Sequence, residues 1–209
     1  MIEADSAPVL SMSDDEAAAL REAYAGAGTI LEYGSGASTL LAAGMPGKTV
    51  YAVESDPGWA VMIATQAAMT RRADLVLVHH VDLGPPRRHV PAFPDYPLSI
   101  WRMPGFRHPD VVLLDGRFRA ACFAAVAMKI ERPVTLLFDD YRSRRRYRAV
   151  ERLAKPVAMI GRMARFELKP APVPKKHLDW IISTFVQPDH VRRTGIAGQI
   201  DRLKLKLLG

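Results

Sequence analysis

The stretch ILEYGSGASTL, residues 30–40, decides the fold because it joins an apolar run to a turn of small residues. The apolar run predicts a buried strand, and ASTLLAAGM predicts a helix directly after it. Gly34 permits a tight turn, and Gly36 lets the backbone approach a ligand. The first N–H groups of the following helix are free to bind an acceptor. We therefore predict that the main chain near residues 34–38 contacts a nucleotide-like ligand.

The composition fits one soluble globular domain. The chain has 209 residues, of which 49% are hydrophobic and 24% charged, which suits an α/β domain with a sizeable core. Cys122 is the only cysteine, which excludes an intrachain disulfide and a multi-cysteine zinc site and favours the reducing cytoplasm. No apolar run approaches the ~20 residues of a membrane span, and the N-terminus lacks the pattern of a secretory signal. We predict a single domain over residues 1–209, located in the cytoplasm, and leave the oligomeric state open.

Basic residues outnumber acidic ones, 29 to 22, and the excess is concentrated in one part of the chain. Between Arg142 and Lys169 there are ten basic and two acidic residues. A block of this density favours an anionic partner such as nucleic acid, a phosphorylated substrate or an acidic membrane surface, and a solvated helix face is the alternative. We expect either a basic rim for an acidic substrate or a set of weak surface ion pairs at Arg117, Arg119, Arg142 and Arg144.

Apolar runs that alternate with helical patterns predict a parallel sheet with helices on both faces. The first five predicted strands are TILEYG, TVYAVESD, ADLVLVHHVDLG, DVVLLDG and VTLLFDD. MARFELKP and LDWIISTFV predict two more strands, added antiparallel at one edge, and YRSRRRYRAVERLAK predicts a helix in its second half. Ser13 and Glu16 have capping-box spacing, so we predict an N-terminal helix over residues 13–26.

Residues 84–108 interrupt this alternation, because the segment is rich in proline, glycine and aromatic residues. Loops of this length are often lids or binding segments. We predict that this segment is an irregular insertion that shapes a substrate pocket, with Trp101 and Phe106 as candidate walls.

Acidic residues follow the first three predicted strands, where ligands bind in sheets of this kind. Glu32 accepts hydrogen bonds only when ionised, and would hold a cationic or hydroxyl-bearing group. Glu54 stands 18 residues after Gly36, the distance at which an acid binds ribose hydroxyls, although an acid near a helix start is the alternative. Asp82 would accept from an adenine amino group or cap the turn into Gly84.

Three more carboxylates, those of Asp115, Asp139 and Asp140, follow the fourth and fifth predicted strands. They would hold Mg²⁺ or a similar hard cation, which prefers oxygen ligands. Alternatively, one would act as a base or orient a ligand while another caps a helix. Clustering of acids at one sheet edge also favours a perturbed pKa.

These motifs together resemble class I S-adenosylmethionine-dependent methyltransferases. ILEYGSGAST resembles motif I of that family, an acid followed by alternating small residues, and VYAVESD resembles motif II. HHVD resembles the adenine-side acid, and VVLLDG and VTLLFDD resemble motifs IV and V. The match covers residues 29–141. It implies a single Rossmann-like, doubly wound α/β sheet of seven strands in the order 3-2-1-4-5-7-6, mostly parallel with one antiparallel edge strand.

The resemblance also implies S-adenosylmethionine as the cofactor and an unidentified small or anionic methyl acceptor. In this interpretation Glu32 holds the methionine amine or the loop around it, Glu54 the ribose and Asp82 the adenine. The predicted cofactor-binding residues are Glu32, Tyr33, Gly34, Ser35, Gly36, Ser38, Glu54, Ser55, Asp82 and Asp115. Asp115, near the reacting centre, and Asp140 are the predicted catalytic residues.

Other functions stay open beside this one. The three carboxylates are similar to those of metal-dependent O-methyltransferases, but Asp140 and Arg117 stand where that group usually has Asn and Lys, so a divalent metal is a less favoured alternative cofactor and its ligands are left unassigned. A cofactor-binding or nucleic-acid-binding module without catalysis would explain the basic block. A nicotinamide-dependent dehydrogenase would need glycine where Thr39 stands and room for a substrate domain.

Overall fold

The computed structural model of the protein describes residues 8–84 and 94–186. Seven strands form one sheet in the order β3-β2-β1-β4-β5-β7-β6, as predicted. The strands are Thr29–Tyr33 (β1), Thr49–Glu54 (β2), Leu75–His80 (β3), Val111–Leu114 (β4), Val134–Phe138 (β5), Ala158–Ile160 (β6) and Met163–Leu168 (β7). Among these seven strands β7 alone runs in the opposite direction to the others, and it lies one place in from the edge strand β6.

Helices lie between the strands in the described part of the chain. The α-helices are Asp14–Gly26 (α1), Ala37–Ala43 (α2), Pro57–Thr70 (α3), Asp95–Leu98 (α4), Arg119–Lys129 (α5) and Leu178–Val186 (α6). Short 3-10 helices span Ile100–Arg102, Arg145–Arg152 and Lys175–His177. None of the helices in the described ranges combines the length and apolar character needed to cross a membrane.

The register of the central strands brings their carboxyl ends to one level. Tyr33, the last residue of β1, pairs with Val53 of β2 on one side and with Leu114 of β4 on the other. Leu114 in turn pairs with Phe138, the last residue of β5. The residues that directly follow β1, β2, β4 and β5 therefore share one edge of the sheet, where ligands bind in this architecture.

Both faces of the central strands are buried, as expected for parallel strands covered by helices. All five residues of β1 are buried. Ile30 packs with Leu20 and Tyr24 of α1 on one face, whereas Leu31 and Tyr33 belong to the larger core cluster on the other.

Capping residues that can be recognised in the sequence mark the first turns of α1 and α3. Ser13 and Glu16 form the predicted capping box at α1, each side chain accepting from the other residue's backbone N–H. Asp56 caps α3 by accepting from the Trp59 N–H at 2.8 Å, and Pro57 occupies the first turn. That the whole chain, residues 1–209, is one domain stays a prediction.

The segment LDWIISTFV was wrongly predicted as a strand, because it forms the helix α6. Its apolar residues recur at helical as well as alternating positions, and Ile181 and Thr184, three residues apart, are the buried ones. The seventh strand comes instead from Ala158–Ile160. Ile160 pairs with Met163, so Gly161, at φ +55°, and Arg162 make a two-residue hairpin turn.

The predicted insertion at residues 84–108 is partly regular, with α4 and the 3-10 helix Ile100–Arg102 in it, while residues 85–93 lie outside the described residues. Trp101 donates its indole N–H to the Tyr33 hydroxyl at 2.8 Å, and the Phe106 ring packs tilted against that of Tyr51, with ring centroids 4.8 Å apart. Both aromatic residues pack against the core. They are therefore not walls of the cleft described below.

Candidate functional site

The turn after β1 uses its two glycines for different purposes. Gly34 has φ +99°, and a Cβ there would lie 2.7 Å from the backbone nitrogen of Gly116, so this glycine serves the close packing of two chain segments. A Cβ on Gly36 would meet no atom within 4 Å. The free space for a ligand is therefore at Gly36.

Glu32 lies beneath this turn and supports it. Its fully buried carboxylate accepts hydrogen bonds from the Tyr24 hydroxyl at 2.5 Å and from the Thr39 hydroxyl. Thr39 in turn accepts from the Gly36 N–H at 3.0 Å. Burial raises the pKa of Glu32 to about 7, although the hydrogen bonds from Thr39 and Tyr24 oppose the shift. The carboxylate thus holds the loop, one of the two roles expected for it.

Glu54 ends β2 with its carboxylate beside the same turn. Oε2 accepts from the Ser35 N–H at 3.1 Å and from the Ser35 hydroxyl at 3.0 Å. Oε1 accepts from the N–H groups of Ser55 at 2.7 Å and Asp56 at 3.0 Å. The acid predicted to bind ribose therefore lies next to the glycine turn, and its side chain is already fully hydrogen-bonded.

Trp59, in the first turn of α3, was not predicted as a site residue. Its indole N–H donates to the carbonyl oxygen of Ser35 at 2.7 Å, and its side chain lies at the mouth of a cleft over the turn. The available sequence signal was an aromatic residue five positions after Glu54.

A cleft of about 450 Å³ opens at the carboxyl edge of the sheet. Its walls are the turn residues 34–38, Trp59, the N-terminal segment 8–12, three carboxylates and one arginine. The carboxylates and arginine are Asp115, Asp139, Asp140 and Arg162. The cleft is of the size that a small ligand or cofactor occupies.

The three carboxylates face guanidinium groups. Arg119, with only 8% of its side chain exposed, donates to Asp115 Oδ1 at 2.7 Å and lies 3.8 Å from Asp139 Oδ2 and 3.7 Å from Asp140 Oδ2. Arg162 lies 3.1 Å from Asp139 Oδ1 and 3.4 Å from Asp140 Oδ1. A guanidinium thus stands among the oxygens that would bind a cation. Within residues 8–84 and 94–186, no group of three or more His, Cys, Asp or Glu side chains is placed to hold a metal ion, so the donor set does not fit one.

Asp115 has a raised pKa, and Asp140 has a strained backbone conformation. Desolvation in the cleft raises the pKa of Asp115 to about 7; Arg119 opposes the shift and the neighbouring Asp139 and Asp140 add to it. Asp140 is held at φ +58°, a left-handed conformation that non-glycine residues seldom adopt outside constrained sites. Its carboxylate also accepts from Arg144 at 2.9 Å.

Other predicted site residues lie around or outside the cleft. Ser38 lines it, whereas the Tyr33 side chain is buried and donates to the Pro97 carbonyl at 2.7 Å. Ser55 contributes its N–H to Glu54, and Asp82 is exposed and accepts from the Gly84 N–H at 2.8 Å, which is the turn-capping alternative. Arg119 is buried with its donors occupied, so it is not part of a substrate-facing basic rim.

The fold and the site define a class of protein: a Rossmann-like α/β protein with a nucleotide-type cleft at the end of its central strand. No protein-family model and no curated protein matches the sequence. Among solved structures, a methyltransferase-like protein from Silicibacter pomeroyi DSS-3 is 48% identical over 87% of this chain and 99% of its own, with a TM-score of 0.81. The chain therefore belongs to the class I S-adenosylmethionine-dependent methyltransferase family.

More distant structures share the fold. TomG, an O-methyltransferase from Streptomyces achromogenes crystallised with S-adenosylmethionine, is 18% identical over 78% of this chain and 83% of its own, with a TM-score of 0.56. The cofactor-bound Rv0187 from MTB is 16% identical over 79% of this chain and 85% of its own, with a TM-score of 0.53.

Proposed function

We propose that the protein transfers a methyl group from S-adenosylmethionine to a small or anionic acceptor. The observation that carries this proposal is the open space at Gly36 beside the Glu54 carboxylate, at the carboxyl end of the central strand. The Silicibacter pomeroyi protein, which is similar along nearly its whole length, is described as methyltransferase-like and supports the same assignment.

The residues around the cleft fit an adenosyl cofactor. Main-chain groups of residues 34–38 lie along the cleft without a side chain at Gly36 to obstruct it. Glu54 would accept from the ribose hydroxyls, with Ser35 and Ser55 beside it. Asp82 would accept a hydrogen bond from the adenine amino group. Asp115 would lie beside the methionine end of the cofactor. Tyr33 would contribute through its main chain only. Glu32, which lies beneath the glycine turn, would hold that loop in place.

When bound, S-adenosylmethionine supplies an electrophilic methyl group on a sulfonium. The chain would contribute mainly by holding the acceptor in line with that methyl group in the cleft. Asp115 and Asp140 face the same cleft. An Asp115 carboxyl with a pKa near neutrality suits a base that removes the acceptor's proton, and Asp140 would orient the acceptor.

The surface beside the cleft favours an anionic acceptor. The segment that follows Asp140 exposes five arginines, namely Arg142, Arg144, Arg145, Arg146 and Arg148. Arg144 reaches back to Asp140, which lines the cleft, so the basic segment begins at the cleft rim. A phosphate or carboxylate on the acceptor would find bidentate partners there.

Binding of S-adenosylhomocysteine, measured by calorimetry on the full chain, tests this proposal. We expect saturable binding of S-adenosylhomocysteine and none of NAD. Replacing Glu54 with Ala should weaken binding by about 1–3 kcal/mol, because a charge-assisted hydrogen bond to the ribose is lost. Unchanged affinity in Glu54→Ala would remove the ribose role, and absence of binding to the wild type would refute the cofactor.

Nucleic-acid binding without catalysis is a second candidate, favoured by the same exposed arginines. It predicts that affinity for single-stranded RNA falls steeply with salt, as phosphate contacts require. If RNA binds in this way while S-adenosylhomocysteine does not, the second candidate replaces the first. If both bind, a nucleic acid becomes the anionic acceptor to test in a methyl-transfer assay with labelled cofactor.

A further inference from the structure

Ser35 is clamped between Glu54 and Trp59 by all three of its polar groups. Its N–H and its hydroxyl both donate to Glu54 Oε2, at 3.1 and 3.0 Å. Its carbonyl oxygen accepts from the Trp59 indole at 2.7 Å. The main-chain contacts fix the turn, whereas the hydroxyl is free to leave by rotation about a single side-chain bond.

The hydrogen bonds to Glu54 leave its carboxylate no free acceptor position. An ionised carboxylate offers about four lone-pair positions. The N–H and hydroxyl of Ser35 occupy two on Oε2, and the N–H groups of Ser55 and Asp56 occupy two on Oε1. Three of these four donors are main-chain groups held by the fold, and the Ser55 hydroxyl adds only a long contact of 3.5 Å to Oε1. Of the four close donors, the Ser35 hydroxyl alone can yield its place without moving the backbone.

We propose that the Ser35 hydroxyl occupies the position on Glu54 that a ribose hydroxyl takes, and that it competes with the cofactor for that carboxylate. The inference rests on the proposed function, because it requires Glu54 to bind ribose. Ser35 then lowers cofactor affinity while keeping the buried end of Glu54 hydrogen-bonded when no ligand is bound. Displacement by the ribose turns the hydroxyl out toward the cleft.

The expected effect of the Ser35 hydroxyl on cofactor affinity follows from the strength of one hydrogen bond. An intramolecular hydrogen bond stabilises a folded protein by about 0.5–1.5 kcal/mol relative to hydrogen bonds between the same groups and water. Removing the competing hydroxyl should therefore tighten cofactor binding by roughly two- to tenfold. A serine that contacts the ligand directly would give the opposite result, because its removal would weaken binding.

Calorimetry with S-adenosylhomocysteine on four proteins tests the proposal: the wild type, Ser35→Ala, Glu54→Gln and the double variant. We expect Ser35→Ala to bind two- to tenfold more tightly than the wild type, and to bring no gain in the Glu54→Gln background. Ser183→Ala, which removes a hydroxyl bonded to the Trp180 carbonyl on α6, is the matched control and should leave the affinity unchanged. Should Ser35→Ala unfold, Ser35→Gly removes the same hydroxyl.

The outcomes separate this inference from the proposed function. If the wild type does not bind S-adenosylhomocysteine, the proposed function fails. If the wild type binds but Ser35→Ala binds equally or more weakly, only the competition is overturned. A gain that persists in the Glu54→Gln background also overturns it, because the effect would not act through the carboxylate.

Discussion

The two glycines of the first turn show how one residue type meets two separate physical demands. At Gly34 the constraint is internal, since φ is +99° and a Cβ would overlap the backbone of Gly116. At Gly36 no internal constraint is visible, because a Cβ would meet no atom within 4 Å, and the open space is what the proposed cofactor requires. The sequence already assigns Gly34 to a tight turn and Gly36 to the approach of a ligand, but it does not reveal that Gly34 packs against Gly116.

Substitutions at these positions should therefore have different effects. Gly34→Ala should destabilise the fold by at least 1–3 kcal/mol, the cost of a strained left-handed residue, with the overlap added to it. Gly36→Val should fold normally but lose S-adenosylhomocysteine binding, because its side chain fills the space over the turn. Chemical denaturation and calorimetry on both variants check this. A Gly36→Val protein with wild-type affinity would show that the ligand passes elsewhere.

Glu32 should make stability depend on pH in a direction unusual for a carboxylate. Its pKa is raised from 4.5 in the unfolded chain to about 7 in the folded protein. Between these values the folded state binds more protons than the unfolded state, so stability falls as pH rises from about 4.5 to 7. The loss over that range is on the order of 3 kcal/mol.

The Glu32→Gln variant isolates this contribution from that of Asp115, whose pKa is also raised. We expect the free energy of unfolding of the wild type to fall relative to Glu32→Gln as pH rises from about 5 to 7. Urea denaturation of both proteins across the range measures the difference. Parallel curves would mean that Glu32 is ionised in the folded state throughout.

At the scale of elements, Arg119 joins the carboxyl ends of β4 and β5 to the start of α5. It is the first residue of that helix, and its guanidinium donates to the carbonyl oxygens of Asp115 at 2.6 Å, Gly116 at 3.0 Å and Asp139 at 2.6 Å. These residues directly follow two neighbouring strands. The same group that neutralises the cleft carboxylates therefore also fixes the geometry of the strand ends.

Removing this guanidinium should cost far more than removing an exposed one. We expect Arg119→Met to lower the free energy of unfolding by about 3–5 kcal/mol, because the buried Asp139 carboxylate and the carbonyls at the strand ends lose their partner. Arg132→Met, which breaks a 3.4 Å pair with Asp110 between half-exposed side chains, should cost about 0–1 kcal/mol. Equal losses in the two variants would argue that solvent replaces Arg119 in the cleft.

At the scale of the whole molecule, Arg162 connects the edge hairpin to the N-terminal segment. Its backbone N–H donates to Glu16 Oε1 at 2.6 Å, and its guanidinium donates to Asp139 and to the carbonyl oxygen of Ser11. Its hydrogen bond to Asp139 raises the pKa of Arg162. Residues 8–12 line the cleft, so a side chain from the far edge of the sheet holds one of its walls.

Arg162→Met should loosen that wall without unfolding the sheet. We expect backbone amides of residues 9–16 to exchange hydrogen faster, and S-adenosylhomocysteine to bind several-fold more weakly, because the wall is no longer held in place. Arg165→Met is a suitable control, since Arg165 lies on β7, three residues after Arg162, and pairs only with Glu167 at 2.8 Å among described side chains. Unaltered exchange in residues 9–16 would show that the segment is held by other contacts.

Much of the fold and part of the site could be predicted from local patterns. The glycine turn, the capping box of α1 and the acids at the strand ends are read from neighbouring residues, and the strand order follows from the resemblance they support. Where two local patterns coincided, as in LDWIISTFV, packing decided for a helix. Trp101 and Phe106 looked like pocket walls because loop aromatics often are, but they contact Tyr33 and Tyr51.

The sequence by itself determined that this chain forms a nucleotide-type α/β sheet with acids at the ends of its strands, because strand periodicity, turn chemistry and spacing act over a few residues. Only the tertiary structure decided that Arg119 stands where a cation would sit, that the Ser35 hydroxyl donates to Glu54, and that the Trp59 indole donates to the Ser35 carbonyl. Those contacts join residues far apart in sequence or on different elements. They depend on distance and burial in the folded chain, which no local pattern encodes.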